Sequence, residues 1–175
     1  MGWNETAAQC VICKGVCCRA MPGVIFPDDV TPGQVKEMLA SGRYAIDWWE
    51  GDPREGMDEL PQAEYLRPAI KGMEGWQRDP SWGGECTFLT PTGCELAYEN
   101  RPRECRGLIP GVDGPPCFTP PAVSKKAAAI AWLPLRAFLL ALEPKEEQDT
   151  SDPAVYLRRL LDQIRVRRKQ MGLTE

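Results

Sequence analysis

The chain has 175 residues, of which 43% are hydrophobic and 26% are charged. A chain of this length and composition can bury one hydrophobic core. We therefore expect a single domain over residues 1–175. The formal net charge of -4 argues against a general nucleic-acid-binding protein, because such proteins usually carry net positive charge. The first residues show no basic segment followed by an apolar run, which predicts a cytoplasmic protein with reduced thiols.

The cysteines divide the chain into segments. Residues 1–20 and 86–117 are cysteine-rich, and residues 21–85 form a cysteine-free insert between them. Residues 122–171 follow and are predicted to be helical. We therefore expect the two cysteine-rich segments to carry the chemistry and the C-terminal helices to supply much of the apolar core.

Within the insert, the sequence predicts one helix and two short strands. Residues 31–40 begin with a threonine N-cap and a first-turn proline and are followed by a Ser-Gly stop, so we expect a short helix. Residues 44–49 and 65–70 are aromatic or apolar enough for strands. Pro68 is expected to restrict the second strand to a sheet edge.

Asp47 lies beside Trp48 and Trp49 on the first of these strands, which allows two interpretations. A carboxylate among bulky apolar groups can have a raised pKa and handle protons near a metal centre. Strand alternation instead places Asp47 and Trp49 on one face and Trp48 on the other. We favour this second, purely structural interpretation.

The C-terminal segment is predicted to contain at least two helices. Residues 122–142 are good helix formers, and Pro134 should kink this helix or split it in two. Pro134 and Arg136 also interrupt the apolar stretch, which is shorter than the ~20 apolar residues that a membrane span requires. We therefore expect no membrane partner.

A further helix is predicted to start at Asp152 and Pro153. Its apolar residues recur at the spacing of one buried face, and they are Leu157, Leu160, Leu161 and Ile164. Its other face is basic and carries Arg158, Arg159, Arg165, Arg167, Arg168 and Lys169. We interpret the basic face as solvated, and a docking surface for an acidic protein partner is the alternative.

The eight cysteines are the chemically decisive residues of the sequence. All are candidate metal ligands, namely Cys10, Cys13, Cys17, Cys18, Cys86, Cys94, Cys105 and Cys117. Cys10 and Cys13 have the C-x-x-C spacing that directs two sulfurs to one ion. Because the chain contains no histidine, thiolates must hold any metal, which favours zinc or an iron–sulfur cluster over hard cations.

Two other uses of the cysteines agree less well with the sequence. A set of disulfides is typical of secreted chains, and no signal sequence is recognised here. A thioredoxin-like redox site needs its C-x-x-C between a strand and a helix start, whereas Cys10 follows a polar stub. Metal coordination accounts better for the number and clustering of the cysteines.

The residues around the cysteines also suit a metal centre. Several cations lie near the cysteines and could balance the thiolate charge, namely Lys14, Arg19, Arg101, Arg103 and Arg106. Each of them could equally be an ordinary surface charge. Gly15, Gly93 and Gly107 would let backbone N–H groups approach sulfur. Adjacent side chains usually point in different directions, so Cys17 and Cys18 are expected to divide between two sites or to leave one thiol outside the coordination.

The string Cys10-x-x-Cys13-x-x-x-Cys17-Cys18 resembles the signature of the CxxCxxxCC cysteine-cluster family. This family is often called YkgJ-like and is described as zinc- or iron-chelating. Residues 86–89, 93–102 and 105–106 are similar to its C-x-F-L, G-C-x-x-Y-E-x-R-P and C-R elements, in the same order, with one extra residue after Cys94. The resemblance implies a metal role for the seven cysteines from Cys10 to Cys105, and Cys117 lies outside the matched elements.

Together these patterns predict a metal-binding protein whose thiolates hold a [4Fe-4S] cluster or zinc. The alternatives are a redox or radical enzyme that uses an iron–sulfur cluster, and a zinc-stapled protein-interaction module. The expected fold is α+β, mainly helical with short strands, in which long cysteine-bearing loops converge on the metal centre.

Overall fold

The computed structural model describes residues 15–49, 63–78, 83–109 and 117–142. Within them, the helices are α1 (Val16–Ala20), α2 (Pro32–Ala40), α3 (Arg103–Gly107), α4 (Lys125–Trp132) and α5 (Arg136–Leu142). The strands are β1 (Tyr44–Trp49), β2 (Ala63–Pro68), β3 (Leu89–Thr90) and β4 (Gly93–Cys94), and both pairs are antiparallel. Single 3-10 turns occur at Pro27–Asp29, Tyr98–Asn100, Pro121–Val123 and Leu133–Leu135. The predicted α+β class is therefore confirmed, while the helix predicted from residue 152 lies outside the described residues.

Helix α2 begins and ends where the sequence predicts. The Thr31 hydroxyl accepts a hydrogen bond from the Gln34 backbone N–H at 3.3 Å, and the Gln34 side chain accepts one from the Thr31 N–H at 2.8 Å. This reciprocal pair is a capping box, which satisfies two backbone donors that the first turn leaves unpaired. Ser41 caps the other end, and Gly42 follows with φ 70°, a left-handed conformation that glycine adopts without strain.

Strands β1 and β2 form a two-stranded ribbon in which Tyr44 lies opposite Pro68 and Trp49 lies opposite Ala63. The predicted bounds of β1 are confirmed, but β2 lies two residues earlier than predicted. Pro68 is its last residue, because a proline nitrogen has no hydrogen to donate to a ladder. Ile70, expected within the strand, instead forms an isolated antiparallel bridge with Cys86.

The main hydrophobic core lies between this ribbon, α2 and the C-terminal helices. The Trp132 indole N–H donates to the Ile25 carbonyl at 2.8 Å, which satisfies the polar atom of the largest buried side chain. The buried side chains of this core are Val24, Ile25, Phe26, Val35, Leu39, Ile46, Ala63, Tyr65, Leu66, Ala128, Ala129, Trp132 and Leu139. As far as the structure describes the chain, no cysteine belongs to this core.

Helices α4 and α5 confirm the predicted split at Pro134. Ser124 caps α4 by accepting a hydrogen bond from the Ala127 N–H at 3.3 Å, and a 3-10 turn that contains Pro134 separates the two helices. None of the helices in the described ranges is long and apolar enough to cross a membrane.

Asp47 anchors α4 to the ribbon. Its carboxylate is 4% exposed and accepts hydrogen bonds from the Tyr65 hydroxyl at 2.7 Å and from Arg67 Nε at 2.8 Å. Lys125 Nζ, at the start of α4, lies 3.6 Å from the same oxygen. The predicted alternation agrees with the surroundings of the two tryptophans, because the centre of the Trp48 ring lies 5.2 Å from the Arg78 guanidinium whereas Trp49 packs against the main core.

Candidate metal centre

Two cysteine-bearing parts of the chain, far apart in sequence, lie side by side. The Cys86 N–H donates to the Cys18 carbonyl at 2.8 Å, and the Gly84 N–H donates to the Ala20 carbonyl at 2.8 Å. On its other side, the same segment pairs with residues 69–71 through the bridge between Ile70 and Cys86. Cys86 is therefore held between α1 and the chain that leaves the ribbon.

A tight hairpin brings Cys94 to the same place. Strands β3 and β4 pair so that Leu89 lies opposite Cys94, and Gly93, with φ 118°, is the first residue after the turn. A small buried cluster forms here from Cys86, Phe88 and Leu89, with Cys18, Cys94, Tyr44 and Leu96 packed against it. Three of the predicted metal ligands therefore belong to one cluster, which is distinct from the main core and adjoins it at Tyr44.

Cys105 comes from α3, which packs against the start of the insert. The Gly23 N–H donates a hydrogen bond to the Cys105 sulfur. A Cβ at position 23 would lie 2.4 Å from Cys105 Sγ, so only glycine permits this approach. The neighbouring Val24 N–H donates to the Glu104 carboxylate at 3.0 Å and fixes α3 from the adjacent residue.

The adjacent thiols of Cys17 and Cys18 influence each other through a side-chain hydrogen bond, and their division between two sites stays a prediction. The hydrogen bond from Cys18 lowers the pKa of Cys17 to about 6. The same bond, followed by burial, raises the pKa of Cys18, and negative charge on Cys105 and Cys86 raises it further. One member of the pair therefore ionises readily while the other retains its proton.

Burial has the largest effect on the pKa values of Cys86 and Cys105. It raises the pKa of Cys86 to about 11 and raises the pKa of Cys105 as well, and the charge of Cys94 adds to both increases. Five thiols thus affect one another electrostatically, namely Cys17, Cys18, Cys86, Cys94 and Cys105, and all five are free of disulfides. They form one electrostatic group that is drawn from three parts of the chain.

The other predicted ligands are not placed in this group. Cys10 and Cys13 lie outside the described residues, and Cys117 is partly buried beside the bridge between Ile109 and Phe118. Among residues 15–49, 63–78, 83–109 and 117–142, no set of three or more histidine, cysteine, aspartate or glutamate side chains is arranged to hold a metal ion. The described thiols are neighbours without forming a closed coordination sphere.

The arginines predicted to balance thiolate charge are engaged elsewhere. Arg103 and Arg106 pair with Asp29 at 2.8 and 3.4 Å, and Arg101 donates to the Leu96 carbonyl at 3.1 Å. Arg19 is exposed, and Lys14 lies outside the described residues.

The cations that act on Cys86 are Arg43 and Arg67, and both lower its pKa. Both belong to the insert, so sequence reasoning restricted to the neighbours of the cysteines missed them. Arg67 is completely buried. The sequence signal that could have identified Arg67 is its position within the apolar strand predicted at residues 65–70.

The glycines have different roles from those predicted. Gly15 begins α1 with φ 70°, and a Cβ there would lie 2.3 Å from Leu89 Cδ1. A Cβ at Gly107 would lie 2.9 Å from Val123 Cγ2. Both glycines permit close packing of the cysteine-bearing segments. The N–H groups that reach sulfur include those of Gly23 at Cys105, Phe88 at Cys86, and Cys17 and Cys18 at Cys17.

Comparison of the chain with protein-family models, with curated proteins and with solved structures finds no match in any of the three. The resemblance of the cysteine motif to the CxxCxxxCC family stays a prediction from the sequence.

Proposed function

We propose that this chain is a metal-binding protein whose thiolates hold an iron–sulfur cluster or zinc. The observation that carries the proposal is the grouping of five cysteine thiols from α1, from residues 86–94 and from α3. Cys10 and Cys13, which precede α1 in the same sequence motif, are the further ligands that we expect to join them.

Electrostatics supports a cation in this place. Burial and mutual repulsion keep protons on Cys18, Cys86 and Cys105, so these thiols resist ionisation on their own. A bound metal reverses this preference, because a coordinating thiol gives up its proton. Metal binding would therefore relieve the repulsion that crowding of the thiols creates.

The donor set and its surroundings fit a soft metal. The grouped ligands are sulfur atoms, which suit zinc and iron–sulfur clusters better than magnesium or calcium. The backbone N–H groups of Gly23 and Phe88 donate to two of the sulfurs, an arrangement that tunes thiolate metal sites. A cluster would supply electron-transfer chemistry, whereas zinc would supply a structural cross-link.

Metal analysis of the protein purified without oxygen tests the proposal. We expect a stoichiometric metal, identified as iron with acid-labile sulfide in a brown protein or as zinc in a colourless one. Protein that contains neither metal and accepts neither zinc nor a reconstituted cluster would overturn the proposal. Protein isolated with its cysteines paired as disulfides would overturn it as well.

Single substitutions then test the ligand group. Cys86→Ser, Cys94→Ser and Cys105→Ser should each lower the bound metal, because a serine hydroxyl is a poor replacement for a thiolate. Thr92→Ser changes an exposed residue in the turn next to Cys94 and should retain the metal. Equal metal content in all four variants would show that these cysteines are not ligands.

A further inference from the structure

Arg43 makes three kinds of contact with the hairpin that carries Cys94. Its two terminal nitrogens donate to the two carboxylate oxygens of Glu95, each at 2.8 Å. Its guanidinium lies 3.9 Å from the centre of the Phe88 ring, and it donates to the Thr87 carbonyl at 3.4 Å. Forked pairing with a carboxylate fixes an orientation, and stacking on a ring fixes it further.

Arg103 makes a similar set of contacts next to Cys105, from the same helix α3. Its Nε and Nη2 donate to the two carboxylate oxygens of Asp29 at 2.9 and 2.8 Å. Its guanidinium lies 4.5 Å from the centre of the Phe26 ring. The same combination of a carboxylate and an aromatic face therefore occurs twice.

Each of these contacts joins a cysteine-bearing segment to the insert. Phe88 and Glu95 belong to the segment that contains Cys86 and Cys94, and Arg43 precedes β1. Arg103 belongs to α3 with Cys105, and Asp29 and Phe26 belong to the insert. We call these two arginines, with their carboxylates and rings, the arginine clamps.

We infer that the arginine clamps are positioning devices that hold the ligand segments in place before a metal binds. This inference rests on the proposed metal-binding function and deepens it, since it keeps the segments that carry Cys86, Cys94 and Cys105 near one another in the metal-free protein. Neither arginine is a ligand. Each acts through the backbone that carries Cys86 and Cys94 or Cys105.

The exposure of the clamps separates this role from a general contribution to stability. The Arg43 and Glu95 side chains are 37% and 48% exposed, those of Arg103 and Asp29 are 32% and 23% exposed, and ion pairs in contact with solvent contribute little to global stability. Loss of a clamp should therefore loosen one ligand segment and weaken metal binding, while the unfolding of the whole protein changes little.

Zinc affinity of Arg43→Gln and Arg103→Gln, measured by competition with a chromogenic chelator, tests the inference. We expect each variant to bind Zn²⁺ about tenfold more weakly or worse, the usual effect of removing groups that orient metal ligands. The matched control is Arg136→Gln, which removes the forked pair of Arg136 with Glu64 at 2.6 and 3.3 Å. That pair joins α5 to β2, neither of which contains a cysteine, so the control should keep wild-type zinc affinity.

Hydrogen exchange of the metal-free protein gives a readout that does not depend on metal. Arg43→Gln should speed amide exchange over residues 86–95, and Arg103→Gln should speed it over residues 103–107. Arg43→Lys keeps the charge but loses the fork, so it should resemble Arg43→Gln.

The outcomes distinguish the inference from the proposed function. Wild-type protein that binds neither zinc nor a reconstituted cluster contradicts the proposed function. Wild-type protein that binds zinc, with affinity and exchange unchanged in both clamp variants, contradicts the inference alone. Full recovery in Arg43→Lys also contradicts it, because charge would then suffice without positioning.

Discussion

Gly23 and the Cys105 sulfur are closer together than any side chain at position 23 would permit. A Cβ there would lie 2.4 Å from Cys105 Sγ and 3.2 Å from the Cys105 nitrogen. Gly23→Ala must therefore displace α3 or its own backbone. We expect the free energy of unfolding to fall by about 1–3 kcal/mol, as for other overpacked sites, and the bound metal to decrease. Urea unfolding and metal analysis measure the two effects.

Gly33→Ala is the matched control for this substitution. Gly33 lies in the first turn of α2, and a Cβ added there would have the Thr31 hydroxyl oxygen as its nearest neighbour, 3.9 Å away. Alanine is favoured over glycine in a helix, so this variant should gain roughly 0.5–1 kcal/mol and keep its metal. Wild-type stability and metal content in Gly23→Ala would contradict the importance of the close approach.

Cys17 should be the most reactive of the grouped thiols in the metal-free protein. The hydrogen bond from Cys18 lowers its pKa to about 6, so the thiolate is present above that pH and lost below it. The rate of alkylation by iodoacetamide at Cys17 should rise through pH 6 and level off near pH 7. Cys86, whose pKa is about 11, should remain slow throughout this range.

Two variants at position 18 test the cause of this reactivity. Cys18→Ala removes the hydrogen-bond donor. The pH at which the alkylation rate of Cys17 is half-maximal should then move toward the ordinary cysteine pKa near 8.5. Cys18→Ser keeps a hydroxyl donor and should leave the midpoint low. An unchanged midpoint in Cys18→Ala would show that another group stabilises the Cys17 thiolate.

At the scale of elements, the sequence predicts helix ends correctly where they depend only on residues close by in the chain. Thr31, Pro32 and Gly42 define the ends of α2 through capping and backbone conformation, and both ends are where the sequence predicts. Pro134 splits the C-terminal helices for an equally local reason. Local chemistry of this kind is fully contained in the sequence.

Elements whose position depends on residues far away in the sequence were predicted less accurately. After Pro68 ends β2, residues 69–71 pair with the segment that carries Cys86, a contact with no local signal. The N–H that donates to the Cys105 sulfur comes from Gly23, which is also far away in the sequence, whereas the Phe88 N–H lies only two residues from Cys86. The cysteine motif indicates candidate ligands by residue type, and only the tertiary structure relates them to the insert.

The ribbon illustrates the difference within a single element. Alternation predicted which face of β1 Asp47 occupies, but not that Arg67 and Lys125 would face it. Glu64 is likewise buried and pairs with Arg136 of α5 at 2.6 Å. Buried carboxylates of this kind require cationic partners, and these come from a helix much later in the chain.

At the scale of the molecule, the described residues contain two apolar clusters, and only the smaller one includes cysteine side chains. The main core joins the ribbon, α2 and the C-terminal helices, and its buried side chains include no cysteine in the part of the chain that the structure describes. The smaller cluster consists of Cys86, Phe88 and Leu89 with their neighbours. The fold and the candidate metal centre are therefore stabilised largely by separate sets of contacts.

This separation predicts a folded protein after metal removal, in contrast to zinc fingers, which unfold without metal. Far-ultraviolet circular dichroism of chelated protein should retain the helical signal, because α2, α4 and α5 pack in the main core. At free metal 100 to 1,000 times Kd, the loss of binding should lower the free energy of unfolding by about 3–4 kcal/mol, measured by urea titration with and without chelator. Complete loss of helical signal on chelation would contradict the prediction, because the main core would then depend on the metal.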